Sequence, residues 1–170
     1  MSITLRDTGP DDDDFLLEVY ASTRAEEMAL TPWTEEQKRA FSEMQFRAQD
    51  SYYRERFPNA HYSVILENGE RVGRSYVLRE KAMISILDLA VLPPYRKRGI
   101  GTFLMRELMN EAARSESVVQ IYVETFSPSL PLFERLGFSR VKEEGVNFLL
   151  EWSAQNERRQ DPNAPSYTND

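Results

Sequence analysis

The chain has no cysteine in its 170 residues. That excludes a disulfide framework, a thiolate metal site and a cysteine nucleophile. It has a single histidine, His61, in Asn59-Ala60-His61-Tyr62-Ser63. One imidazole cannot build a histidine-rich metal site, and no carboxylate stands at a spacing that suggests a triad. Long apolar runs are also missing, so no segment reads as a membrane span, and the N-terminal residues lack a signal-peptide core. Cations are outnumbered: 21 Lys and Arg against 28 Asp and Glu leave a formal net charge of −7. That balance argues against nucleic acid or an anionic membrane as the main partner. A cytoplasmic protein is expected, and the length suggests one domain with a sizeable core.

One basic cluster stands out from this acidic background. The stretch Leu87-Asp88-Leu89-Ala90-Val91-Leu92-Pro93-Pro94-Tyr95-Arg96-Lys97-Arg98-Gly99-Ile100-Gly101-Thr102 is an apolar run closed by two prolines, then three cations, then Gly-x-Gly at a helix start. Without the glycines such a cluster reads as a solvated loop. Gly99 and Gly101 turn the reading to an anion site, because they permit close backbone approach and the free N–H groups of a helix start attract negative charge. Arg and Lys beside them add charge-assisted hydrogen bonds to phosphate oxygens.

Periodicity and turn residues order the rest of the chain. Ile3–Arg6 reads as a strand. Asp11–Asp14 precede an apolar helical pattern from Phe15; the four aspartates are weighed as a metal site and read as a helix start. A second helix is expected over Thr34–Arg56, with Phe41, Met44, Ala48 and Tyr52 facing the core. Tyr62–Leu66 and Val72–Leu78 read as strands joined through Asn68-Gly69, and Met83–Val91 as a strand buried on both faces. A helix over Gly99–Arg114, with Leu104, Met105, Leu108 and Ala112 on one stripe, leads to a strand over Val118–Glu124, which implies a parallel crossover. Ser127-Pro128 reads as the start of a short helix that Gly137 ends. Phe138–Lys142 and Phe148–Trp152 close the sheet. No internal repeat is evident. From residue 155 to 170 the chain is polar and aperiodic and reads as a disordered tail behind a domain over 1–154.

Gly99-x-Gly101-x-x-Leu104 stops one glycine short of a dinucleotide fingerprint, with Glu124 ending the next strand where a ribose-binding acid would sit. Those fingerprint glycines follow their strand directly, whereas Leu92–Arg98 intervenes here and an antiparallel meander comes first. A Gly-x-x-x-x-Gly-Lys loop is absent. The pattern Arg96-x-x-Gly99-x-Gly101, the strand end Leu89-Ala90-Val91 and the later Leu132-Phe133-Glu134-Arg135-Leu136-Gly137-Phe138 together resemble the ordered motifs of the GNAT N-acetyltransferases, as a small bacterial-type single-domain member. The resemblance runs from Ile3 to about Trp152. It implies an α/β (α+β) fold: a mixed central sheet of about six to seven strands, with splayed parallel central strands and about four flanking helices.

The resemblance also implies a chemistry. Acetyl-CoA would rest its pyrophosphate on the main chain of Arg98, Gly99, Ile100, Gly101 and Thr102, with Arg96 nearby and Lys97 facing either a ribose phosphate or solvent. Its pantetheine arm would pair with the main chain of Leu89, Ala90 and Val91, the Leu89 N–H polarising the thioester carbonyl. Ser129, Leu132 and Phe133 match positions on the CoA side. An amine would attack directly, and an alkylamine of pKa about 10.4 must first lose a proton. Ser85 and Tyr122 stand where family members carry a glutamate, and Phe133 stands where a tyrosine often protonates the leaving thiolate. Ser127 replaces a common asparagine. Asp88 and Glu124 are the nearest acids by sequence; each reads as a base or as a strand-end hydrogen-bond acceptor. Tyr122 is the candidate proton donor. Substrate recognition falls to the first two helices and their linker: Arg24, Glu27, Trp33, Phe46, Arg47, Gln49 and Tyr53, each also readable as core or surface. The expected partner is a small-molecule or peptide amine, and a homodimer is compatible with the chain. A catalytically weak CoA-binding module of the same fold is the rival.

Overall fold

Asn68 and Gly69 both adopt positive φ, 51° and 85°, which is the two-residue turn that suits paired strands. They join β2 (His61–Glu67) to β3 (Glu70–Glu80) as the sequence predicts. The computed structural model describes residues 2–160 and 163. Among them lie β1 (Ile3–Asp7), α1 (Asp13–Thr23), α2 (Ala25–Ala29), α3 (Glu35–Arg56), β4 (Met83–Val91), α4 (Ile100–Ser115), β5 (Val118–Glu124), α5 (Leu130–Arg135), β6 (Ser139–Glu144), β7 (Asn147–Trp152) and α6 (Ala154–Gln160). Strand order is β1-β2-β3-β4-β5-β7-β6, a mixed α/β arrangement. The chain divides into two compact units. One takes in residues up to Tyr76 together with Asp88–Gly101; the other takes in Val77–Leu87 and the chain from Thr102 onward.

In the first unit β1 pairs antiparallel with β2, from Ile3↔Glu67 to Asp7↔Ser63. Its core gathers Phe15, Leu16, Val19 and Tyr20 of α1, Phe46 of α3, Val64 of β2, and Ala90 and Leu92. The acidic run does start α1, after a 3-10 turn over Pro10–Asp12. Asp12 is buried, accepts from the Gly9 N–H at 2.8 Å, and takes both Nη atoms of Arg6 at 2.8 and 2.9 Å. Arg71 adds a contact at 3.3 Å.

Thr34 caps α3 reciprocally with Gln37, satisfying two orphan donors. The face of α3 departs from expectation. Phe46 and Ser42 are buried, whereas Met44 and Tyr52 are 59% and 56% exposed and Ala48 is exposed too. The reason is polar. Gln45 and Gln49 turn inward to accept from Tyr20 and Arg74, so apolar spacing alone misplaces the stripe. The linker before α3 holds a further helix, α2, that the sequence reading lacked; it starts with the Met28 N–H on the Arg24 carbonyl at 2.9 Å.

In the second unit β4 and β5 run parallel from Met83↔Val118 to Ile86↔Ile121, and Leu104, Met105, Leu108 and Ala112 of α4 are buried as predicted. β5 pairs antiparallel with β7, and β7 with β6. α5 begins two residues later than predicted. Its N-cap is Ser129, because Ser127 Oγ instead closes a turn with Ser129 Oγ (2.7 Å) and accepts the Ser129 N–H (3.2 Å). Gly137 ends α5 with φ of 101°, a conformation that favours glycine. Residues 155–160, which the sequence reading places in the tail, form most of α6. Ser153 Oγ accepts the Asn156 N–H, its carbonyl accepts the Glu157 N–H, and buried Ala154 anchors the first turn. Apart from Asn163, the rest of that expected tail lies outside the described residues.

Candidate functional site

Apolar anchoring shapes the basic loop. The Leu92 N–H donates to Val72 O at 2.8 Å, Leu92 is buried, and Tyr95 packs against the core of the first unit. The two prolines start a 3-10 turn over Pro93–Tyr95, since their fixed φ suits a tight turn. The chain then twists: Lys97 has φ of 60° and Gly99 of 84°. An ideal Cβ at Gly99 or Gly101 would meet nothing within 4 Å, so the loop presents an open face where main-chain N–H groups lead into α4. That is the form of a phosphate cradle.

The flanking arginines serve the loop first. Arg96 Nε donates to the Val91 carbonyl at 2.8 Å, and its Nη2 lies 3.4 Å from Ser22 Oγ. Arg98 Nη2 bonds Glu67 Oε1 at 2.5 Å, and its guanidinium lies 5.6 Å from the Tyr95 ring centroid. Glu67 is buried, and its Oε2 has no hydrogen-bond partner. A buried carboxylate of this kind needs its cation, so Arg98 is a strut for the loop. Ile100, 1% exposed, pins the start of α4. Lys97 is exposed. The loop's side chains thus bond within the protein, and its main chain faces outward at Gly99 and Gly101.

A second cluster in the same unit contains Asp88. Arg74 of β3 is 1% exposed. Its Nη2 donates to Gln49 Oε1 at 2.9 Å and to Asp88 Oδ2. The guanidinium lies 4.9 Å from the Tyr76 ring centroid and 5.8 Å from that of Tyr20. Burial is the largest influence on Arg74 and pulls it down, but the charges and hydrogen bonds of Asp88 and Tyr76 together outweigh it, and the guanidinium is held above its ordinary value. Tyr53 stacks edge-on to Tyr76 at 6.1 Å. Burial, and then the Asp88 charge, push its phenol up to about 12. Sequence reasoning missed Arg74 and Glu67. The available signal was a charged residue inside an apolar strand, which is expensive without a partner.

The other substrate candidates are held in several ways. Phe46 is 1% exposed, in the core of the first unit. Arg47 forks onto Asp13 at 2.5 and 2.6 Å, and that pairing holds it above its ordinary value. Arg24 pairs with Glu27 at 3.0 Å. Trp33 stands edge-on to Phe41 at 5.0 Å. A cleft of about 640 Å³ opens among α1, α2 and α3, lined by Leu17, Ala21, Met28 and Lys38 among others; no predicted substrate residue lines it.

In the second unit Tyr122 is 53% exposed and its hydroxyl lies 3.5 Å from Glu144 Oε2. Glu124 is half-buried at the end of β5, and its carbonyl accepts the Ser127 N–H at 2.9 Å. Ser85 is buried and accepts from Gln120 Nε2 at 2.8 Å. Ser129 and Leu132 are half-buried. Phe133 is buried and packs edge-on to Phe138 at 5.7 Å. Phe133 is therefore packed in the core. Among the described residues no group of acids and histidine is placed to hold a metal ion, and no helix is long and apolar enough to cross a membrane.

Comparison with known proteins accords with this architecture. The model of the acetyltransferase (GNAT) family matches residues 24–138. An N-alpha-acetyltransferase of Sulfurisphaera tokodaii is 35% identical over 60 residues. The match covers 34% of this chain and 36% of that relative, so the chain spans about a third of its length. The PaiA N-acetyltransferase of Thermoplasma acidophilum, solved in complex with coenzyme A, superposes with a TM-score of 0.68 at 18% identity, over 90% of this chain and 99% of that one. An acetyltransferase of Thermus thermophilus superposes with a TM-score of 0.65 at 16% identity, over 89% and 97%. At such identities the likeness shows the fold. With the family model covering most of the chain, the dinucleotide-binding alternative is set aside, and the chain belongs to the acetyltransferase (GNAT) family.

Proposed function

We propose that this chain is an N-acetyltransferase that moves an acetyl group from acetyl-CoA to a primary amine of a small molecule or peptide, by direct attack. The carrying observation is the open face over Gly99 and Gly101, reached through a loop twisted at Lys97 and Gly99. The names of the Sulfurisphaera relative and the Thermoplasma neighbour support the same chemistry.

Bound acetyl-CoA would supply an activated acyl thioester. The chain's part is to hold, polarise and move protons. Main-chain N–H groups over Arg98–Thr102 hold the pyrophosphate, with Arg96 supporting the loop from Val91. The Leu89 N–H donates to the thioester carbonyl. Tyr122, an exposed phenol, donates a proton or orders water for the leaving thiolate. Glu124 is the carboxylate nearest in sequence to that phenol and accepts the amine proton, directly or through water. Asp88 is already engaged by Arg74, which favours a structural part for it over that of base.

The rival is a CoA-binding module without turnover. Phe133 lies in the core, Ser85 is bonded to Gln120 and Asp88 to Arg74, so none of these three positions offers an available acid or base. Calorimetric titration with acetyl-CoA, with NADH as control, tests the cofactor, and release of free CoA across an amine panel tests turnover. Binding of acetyl-CoA alone is expected, together with release stimulated by at least one amine. Binding without release establishes the rival; absence of binding rejects both. Arg96→Ala should raise the KM for acetyl-CoA about tenfold through the lost charge-assisted contact; an unchanged KM removes Arg96 from the loop's function.

A further inference from the structure

We propose that β3 carries a clamp, Val72-Gly73-Arg74, that fixes the main chain of Asp88–Leu92, and that Arg74 is a positioning residue for turnover. The inference rests on the acetyl-transfer reading. Three successive residues of β3 reach three alternate positions of the facing chain. Val72 O accepts the Leu92 N–H at 2.8 Å. An ideal Cβ on Gly73 would lie 2.2 Å from Ala90 O and 3.0 Å from Val91 Cα, so the bare glycine backbone presses directly on this segment. Arg74 pairs with Asp88 and binds Gln49 of α3 through the same nitrogen. Leu89 and Val91 lie between the gripped positions. Their main chain is the part proposed to meet the pantetheine arm, and the Leu89 N–H is the proposed donor to the thioester.

An arginine is a costly way to fill this space. A buried ion pair replaced by apolar side chains of similar volume is often as stable or more so, and Arg74 Nε is buried without a hydrogen-bond partner. What the guanidinium adds is geometric. A planar fork over Tyr76 and Tyr20 is rigid, and it ties Asp88 in the second half of β4 to α3. A donor aimed at developing charge works only when held at hydrogen-bond distance from where that charge forms. Displacement by about 1 Å costs on the order of 100-fold.

The test uses the full chain with Asp88→Asn alone, Arg74→Met together with Asp88→Asn, and Gly73→Ala, measuring acetyl-CoA affinity, kcat, its pH profile and Tm. Asp88→Asn leaves Arg74 buried against a neutral acceptor, so Tm should fall and kcat should fall with it, while the shape of the pH profile stays that of wild type. The double variant removes both charges. It should keep Tm and lose far less acetyl-CoA affinity than turnover, because the phosphate loop is untouched, while kcat falls about 100-fold at every pH. Gly73→Ala should weaken acetyl-CoA binding by displacing Ala90; if it does not fold, the double variant still decides. A double variant with wild-type kcat overturns the inference. So does a loss of kcat in Asp88→Asn with the pH profile flattened, which would make Asp88 the base. If wild type neither binds acetyl-CoA nor releases CoA, the acetyl-transfer reading itself has failed, a result distinct from both.

Discussion

Three phenols show how burial decides chemistry at the scale of the residue. Tyr53 and Tyr76 are pushed up by burial, Tyr53 to about 12, and act as packing and dipoles. Tyr122 stands half in solvent, its hydroxyl 3.5 Å from Glu144 Oε2. Tyr122→Phe should therefore lower kcat by about 100-fold, the usual scale for a general acid, with calorimetric affinity for acetyl-CoA unchanged. Equal turnover in both proteins would reject Tyr122 as the acid. The sequence made Tyr122 visible only through motif position. Arg74 and Glu67 were not visible as a pair with Asp88 and Arg98, because their partners lie 14 and 31 residues away and single-residue chemistry does not reveal who neutralises whom.

At the scale of the element, the two glycines that matter most differ in kind. Gly73 is bare because another main chain is in contact with it. Gly99 is bare for its backbone: φ is 84°, with open space beyond. Gly99→Ala should cost only about 1 kcal/mol, the price of a side chain in the left-handed region, and shift Tm by a few degrees. Its new methyl would project from the cradle's open face, so acetyl-CoA affinity should fall far more than stability does. Titration alongside thermal unfolding separates the two; unchanged affinity would remove the glycine face from cofactor binding. Helices were harder to read than this loop. The inward glutamines of α3 broke its apolar period, and α6 rests on Ser153 caps and one buried alanine, a signal too short for composition to register.

At the scale of the molecule, charge sets the response to acid. The Arg6 hydrogen bonds, then those from the Gly9 N–H and Arg71, hold the Asp12 carboxyl well below its ordinary range. Arg47 does the same for Asp13. A depressed native value means the unfolded chain binds the proton first, so this stabilisation is complete above the unfolded aspartate value of about 3.9 and is lost as pH falls below it. Tm should hold from neutral pH to about 5 and drop below about 4, and Asp12→Asn should flatten that drop while lowering Tm at pH 7. An identical acid slope in the variant would take Asp12 out of the account. What the sequence determined by itself were the features written in local chemistry. These are the Asn68-Gly69 hairpin, the acidic start of α1, the α4 stripe, and the proline–cation–glycine loop that carries the family. Only the tertiary structure decided the pairings between residues distant in sequence: Arg98 on Glu67, Arg74 on Asp88, Gly73 against Ala90, and Phe46 and Phe133 in the interior. Such contacts depend on which chain segments meet, and composition and periodicity are blind to that.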